Sequence, residues 1–85
     1  MREIKYVIQD PLGLHARPAG QLVKTVSGFQ STVTLLANGG KADAKRVMAV
    51  MRLAIKHGME MTFQIQGEDE DQASEKLMEF LQRSL

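Results

Sequence analysis

Residues 60–66 alternate without a break, Met61, Phe63 and Ile65 falling on one side and Glu60, Thr62, Gln64 and Gln66 on the other. A strand with this period offers one face to a core and one to water, so the sheet that holds it is covered on a single side. The cover has to come from the rest of a chain of 85 residues. A chain that short buries only about 60% of the surface it exposes when unfolded, which leaves room for one core and for no deep cleft with walls of its own. One domain spanning residues 1–85 is expected, and any substrate should meet its surface.

The other segments supply the cover and the rest of the sheet. Residues 2–8 alternate imperfectly, with Ile4, Tyr6 and Ile8 on one side, and predict a strand. Asp10-Pro11-Leu12-Gly13 breaks it. Over 18–26 the apolar residues Ala19, Leu22, Val23 and Val26 fall at helical spacing, and Ser27-Gly28 closes the helix, with Gly28 expected in a left-handed cap. Residues 31–36 are rich in β-branched side chains, and Asn38-Gly39-Gly40 predicts a tight turn into a return strand at 41–44. Residues 45–56, ended by His57-Gly58, predict a second helix of about three turns, apolar round most of its circumference. After Gly67, the run Glu68-Asp69-Glu70-Asp71 opens a third helix at the positive end of its dipole, with Ala73, Leu77, Phe80 and Leu81 as its buried stripe. The order is βαββαβα, and alternating strands separated by helices predict an α+β sheet with helices on one face.

Eleven Lys and Arg against ten Asp and Glu leave a formal net charge of +1. A nucleic-acid binder is disfavoured by that balance, and an aromatic content of 5% is too low for base stacking. The absence of cysteine excludes disulfides, thiolate metal sites and thiol nucleophiles. No apolar run approaches the ~18 residues of a membrane span. The chain opens on Met1-Arg2-Glu3 with no signal-peptide core, so no membrane insertion and a cytoplasmic location are expected.

The segment Gly13-Leu14-His15-Ala16-Arg17-Pro18 joins the first turn to the first helix. Pro18 in the first helical turn costs no hydrogen bond, because amides there have no intrahelical acceptor. The free N–H groups of Ala16 and Arg17 and the positive dipole end then face whatever binds beside His15, which favours phosphate. Arg17 adds a planar fork able to pair with two phosphate oxygens. An imidazole ordinarily titrates near pH ~6.5 and so presents a neutral, nucleophilic nitrogen at physiological pH. A nucleophile, a cation and a helix N-terminus converging on one point predict a phosphohistidine at His15. Local chemistry alone leaves the plainer reading open, a histidine that caps a helix or lies on the surface.

The motif Gly13-Leu14-His15-Ala16-Arg17-Pro18-Ala19, together with Asn38-Gly39, Lys45-Arg46-Val47-Met48-Ala49-Val50-Met51 and the acidic opening of the last helix, resembles the HPr family. These are the histidine-containing phosphocarriers of the bacterial phosphoenolpyruvate-dependent sugar phosphotransferase system, and the resemblance spans the whole chain. It implies an open-faced β-sandwich, four antiparallel strands with three helices on one face. It implies phosphorylation of His15 on Nδ1 by enzyme I, stabilisation of the phosphoryl group by Arg17, and delivery to an enzyme IIA domain, with no metal or other cofactor. Such a protein is a stoichiometric carrier rather than a turnover enzyme. Because the transition state of phosphoryl transfer is loose, the donors at Ala16 and Arg17 would mainly position and screen.

The resemblance also implies a shared docking surface on the first and second helices, where Val47, Met48 and Met51 match exposed apolar positions. Methionine adapts to unlike partners, and Val50 and Leu53 are left to fill the core, with Met51 able to serve both. Lys24, Lys45, Arg46 and Arg52 would rim the patch and steer acidic partner faces, although Lys24 reads equally well as ordinary surface charge. Met59, Met61 and Met78 read as core or core margin, and His57 as a helix C-terminal residue favoured by the dipole. A monomer is expected, because the partners need this patch free.

Two departures stand out. Arg46 occupies the place where many Gram-positive members carry a kinase-modified serine, and no Ser, Thr or Tyr occurs between Leu35 and Met61. Regulation by phosphorylation of the second helix is therefore not expected. Leu12 replaces a small polar residue that can help hold the phosphoryl group or the imidazole, so either transfer is slower or backbone groups take over. Ala49 and Ala54, where glycines are common, predict a firmer second helix by up to about 1 kcal/mol each. A regulatory carrier of the same fold, serving a nitrogen-type branch or a dihydroxyacetone-type kinase, is the alternative to sugar uptake.

Overall fold

In a computed structural model describing residues 1–85, the elements follow as β1 (Arg2–Val7), α1 (Ala16–Ser27), β2 (Thr32–Ala37), β3 (Gly40–Asp43), α2 (Val47–Met51), β4 (Glu60–Gln66) and α3 (Glu70–Ser84). The strands form one sheet in the order β1-β4-β2-β3, with every neighbouring pair antiparallel. β4, the most regular alternation in the sequence, lies between two neighbours. Its Phe63 is fully buried and stands opposite Ile4 on one side and Leu35 on the other. The opposite face of β4 is polar, and Gln64 donates from Nε2 to Glu3 Oε2 at 3.3 Å across the strand pair.

The helices cover only the apolar face. α3 packs on β1 and β4, α2 on β3, and α1 lies against both other helices. Leu22 and Val26 of α1, Val50 of α2 and Ala73, Leu77, Phe80 and Leu81 of α3 are buried together with Val33, Leu35, Met61, Phe63 and Ile65 of the sheet. The result is the α+β, open-faced sandwich of a four-stranded antiparallel sheet and three helices. The β2–β3 turn has positive φ at both central residues, 52° at Asn38 and 78° at Gly39, the combination whose twist matches that of a hairpin.

Four local expectations are corrected. α2 is five residues long, Val47–Met51, rather than extending over 45–56. Beyond it Leu53 and Ile55 are both buried while Ala54 between them is exposed, a spacing of two that no helix can present to a core. Ala54 takes φ 52°, so alanine there lies in the left-handed region and does not extend the helix. Asn38 Nδ2 donates to Leu53 O at 3.0 Å and fixes the chain where the helix gives way. His57 consequently lies in the exposed connection before β4, past the end of α2 rather than at its C-terminus. Gly28 closes α1 with φ −77° in the right-handed region, its N–H donating to Thr25 O at 3.3 Å and the Phe29 N–H to Val26 O at 3.0 Å, so its left-handed capacity goes unused.

The acidic run ahead of α3 is largely occupied by its own chain. Asp69 accepts from the N–H groups of Gln30 at 2.8 Å and Ser31 at 2.9 Å, and from the Ser31 hydroxyl, tying the start of α3 to the start of β2. Glu70 accepts from Gly67 N–H at 3.2 Å and pairs with the amino group of Met1 at 2.9 Å, while Asp71 pairs with Arg2 at 2.7 Å.

Candidate functional site

The turn ahead of α1 is built by its own residues. Gly13 N–H donates to Asp10 O at 2.9 Å and closes a four-residue turn with Pro11 at its second position, while Leu12 N–H donates to Asp10 Oδ1 at 2.9 Å. Gly13 has φ +70°, and a Cβ there would lie 2.7 Å from Ile55 O and 2.8 Å from Lys56 Cα. Leu14 is buried and its N–H donates to Ile55 O at 3.0 Å. The backbone of Gln9 and Asp10 is anchored in turn, with both N–H groups donating to Leu85 O, at 2.6 and 3.0 Å. His15 is thus held from two sides before the helix begins.

α1 starts at Ala16, two residues earlier than the apolar spacing indicated, and His15 is its N-cap with φ −83° and ψ −179°. Its carbonyl accepts the first helical bond, from Ala19 N–H at 3.0 Å. The N–H groups of Ala16 and Arg17 have no acceptor within the chain, and Pro18 has none to offer. The His15 side chain is half-buried and makes no capping bond; its Nε2 lies 3.3 Å from Asp10 Oδ2, and its Nδ1 is unpartnered. Arg17 is exposed and makes no ion pair. An unpartnered imidazole nitrogen and two free amides thus adjoin along the chain at a helix N-terminus, with an unpaired arginine two residues after the histidine, a setting for an anion beside a nucleophile.

The Asp10 carboxyl is held below its ordinary range, first by the Leu12 N–H and then by the hydrogen bond and charge of His15, with a smaller contribution from the charge of His57, against a partial opposition from burial. Asp10 was not singled out in the sequence. The signal was there in the Asp-Pro-x-Gly order, which turns the chain so that a residue five positions before His15 comes back beside its ring.

The shallow surface grooves are lined by other residues, and none includes His15 or Arg17. On α2, Val47 and Met51 are partly exposed and Met48 is 65% exposed, whereas Val50 and Leu53 are buried. Lys24, Arg46 and Arg52 are exposed and make no ion pair. Lys45 differs: its Nζ donates to Phe29 O at 2.8 Å. Leu12 is 73% exposed, the most exposed large apolar side chain in the molecule. Met61 is buried, Met59 packs against the core from its margin, and Met78 is half-buried. No helix is long and apolar enough to cross a membrane.

The family described as "PTS HPr component phosphorylation site" matches residues 2–83. The chain belongs to the HPr family. A phosphocarrier protein HPr of Lysinibacillus sphaericus is 42% identical over 81 residues, 95% of this chain and 92% of the relative. The structure of a histidine-containing phosphocarrier protein of Mycoplasma superposes with a TM-score of 0.94 at 40% identity, covering 98% of this chain and 94% of that one. The Bacillus subtilis catabolite-repression protein Crh, a swapped dimer in its crystal, gives a TM-score of 0.75 at 40% identity over 100% of this chain and 98% of that one. The chain is accordingly an HPr-type phosphocarrier of the phosphotransferase system, with the fold of its relatives.

Proposed function

We propose that His15 accepts a phosphoryl group on Nδ1 from phosphorylated enzyme I and passes it to an enzyme IIA domain during sugar uptake, in the cytoplasm, with the chain acting as a single monomeric domain. The observation that carries this reading is the unpartnered Nδ1 of His15 at the N-cap of α1, beside the free N–H groups of Ala16 and Arg17. A phosphoryl group seated there would meet those amides and the Arg17 guanidinium, which together counter its charge without a metal. Lacking walls of its own, the site is completed by each partner, which would dock on the exposed Val47, Met48 and Met51 inside the rim of Lys24, Arg46 and Arg52. Arg46 is the N-cap of α2 and leaves that helix no hydroxyl for a kinase, so we infer a carrier without the second-helix switch. The likeness to Crh favours a regulatory carrier as the second reading, and that reading keeps His15 as acceptor.

Incubation with enzyme I and labelled phosphoenolpyruvate tests the proposal. An acid-labile, base-stable label on the wild type that His15→Ala abolishes is expected; a label that survives in His15→Ala overturns it. Arg17→Ala should slow labelling about ten-fold or more. The same protein with ATP and the family's kinase should stay unlabelled on α2, and incorporation there would refute the inference about Arg46. Sedimentation of the purified chain at micromolar concentration should give one protomer, and a stable dimer would contradict the monomer.

A further inference from the structure

Asp10 sits against the site in a manner that a turn alone does not require. A carboxylate has two oxygens, and here they are divided: Oδ1 accepts the Leu12 N–H at 2.9 Å, and Oδ2 faces His15 Nε2 at 3.3 Å. The first bond fixes the side chain by a local closure two residues long, and the Leu85 carbonyl fixes the backbone beneath it. An ionised carboxylate can only accept, so the ring nitrogen facing it must carry the hydrogen. Where one ring nitrogen is tied up in this way, the tautomer of the other is decided.

We propose that Asp10 is a positioning residue for His15, holding the ring in the Nε2–H tautomer so that Nδ1 presents its lone pair to the phosphoryl donor. The inference rests on the reading of His15 as phosphoryl acceptor and deepens it. In the transfer, the Nδ1 lone pair forms a bond to phosphorus as the bond from phosphorus to the donor breaks, and that electron pair leaves with the donor. The ring keeps its Nε2 hydrogen throughout and becomes cationic, with Asp10 Oδ2 beside the new charge. When the group moves on to the next acceptor, the N–P bond breaks towards Nδ1 and the ring returns to the neutral Nε2–H form, so no proton enters or leaves. The carboxylate therefore faces a charge that grows in one half of the cycle and disappears in the other. The other titratable group acting on Asp10 is His57, which is exposed in the connection before β4.

Two variants separate this role from simple closure of the turn. Asp10→Asn retains one oxygen for the Leu12 N–H but turns an NH2 donor towards Nε2, which inverts the tautomer while sparing the turn. Asp10→Ala removes both bonds. Ring 15N shifts of the unphosphorylated protein should show a protonated Nε2 and a bare Nδ1 in the wild type, and a shift towards protonated Nδ1 in Asp10→Asn. The rate constant for acceptance from phosphorylated enzyme I should fall about ten-fold in Asp10→Asn, with the half-saturating carrier concentration unchanged, because Asp10 lies outside the docking surface. His57→Gln should leave tautomer and rate as in the wild type. A wild-type ring protonated on Nδ1, or a folded Asp10→Asn with wild-type tautomer and rate, overturns the role of Asp10 while labelling of His15 stands. Labelling that survives His15→Ala removes the underlying reading, and this one with it.

Discussion

Ala54 lies at φ 52° in the connection that follows α2, exposed between the buried Leu53 and Ile55. An alanine in that region costs about 1–2 kcal/mol of strain, partly offset by the extra freedom that glycine has when unfolded. Ala54→Gly is therefore expected to stabilise the protein by up to about 1 kcal/mol, read as a higher denaturant midpoint; a lower midpoint would show that the strain is not there. Gly13 is the complementary case, where φ +70° and the approach of the 55–57 backbone exclude a side chain and set the height at which His15 is held. The His15 and Arg17 arrangement was legible because helix starts impose their chemistry on adjacent residues. Asp10 was missed, since the Asp-Pro-x-Gly order announces the turn but the contact of its carboxylate with the His15 ring is made only in space. The strain at Ala54 was hidden for a similar reason, because alanine ordinarily favours helix.

β4 kept its sequence-derived limits, 60–66, because a strand between two neighbours has little choice but strict alternation. α2 did not, because its apolar run continues through Leu53 and Ile55, and the pattern of apolar residues does not mark the turn and the left-handed Ala54 that end the helix. A five-residue helix could not persist alone, and it is held here through Val50 and the packing of α1 and β3 around it. Its outward side chains contribute little to the fold, which leaves them free for partners. Met48→Asp should accordingly raise the carrier concentration for half-maximal labelling by enzyme I about ten-fold, with stability changed by less than about 0.5 kcal/mol. An unchanged half-saturating concentration would remove Met48 from the docking surface.

Across the whole molecule, carboxylates join elements that lie far apart in sequence. Asp69 is held below its ordinary range first by the Ser31 hydroxyl and then by the Gln30 N–H, and Glu70 first by the amino group of Met1 and then by the Gly67 N–H. A carboxyl whose folded value lies below its unfolded one stabilises fully above the unfolded value, near pH ~4, and loses that contribution as pH falls through the folded value. Melting temperature should thus be insensitive to these groups above about pH 5 and fall as the pH drops below about 4. In Asp69→Asn it should start lower at neutral pH and fall less steeply in acid; a slope equal to that of the wild type would show that Asp69 does not contribute. The same ties engage Asp69, Glu70 and Asp71 of the acidic run with other parts of the chain, whereas Lys24, Arg46 and Arg52 make no ion pair. The central claim, that this face delivers a phosphoryl group to and from one ring nitrogen, is tested most directly by 31P and ring 15N NMR of the protein after reaction with enzyme I and phosphoenolpyruvate. A single N–P bond at Nδ1 of His15 is expected, and phosphorus on Nε2 or on any other residue would contradict it.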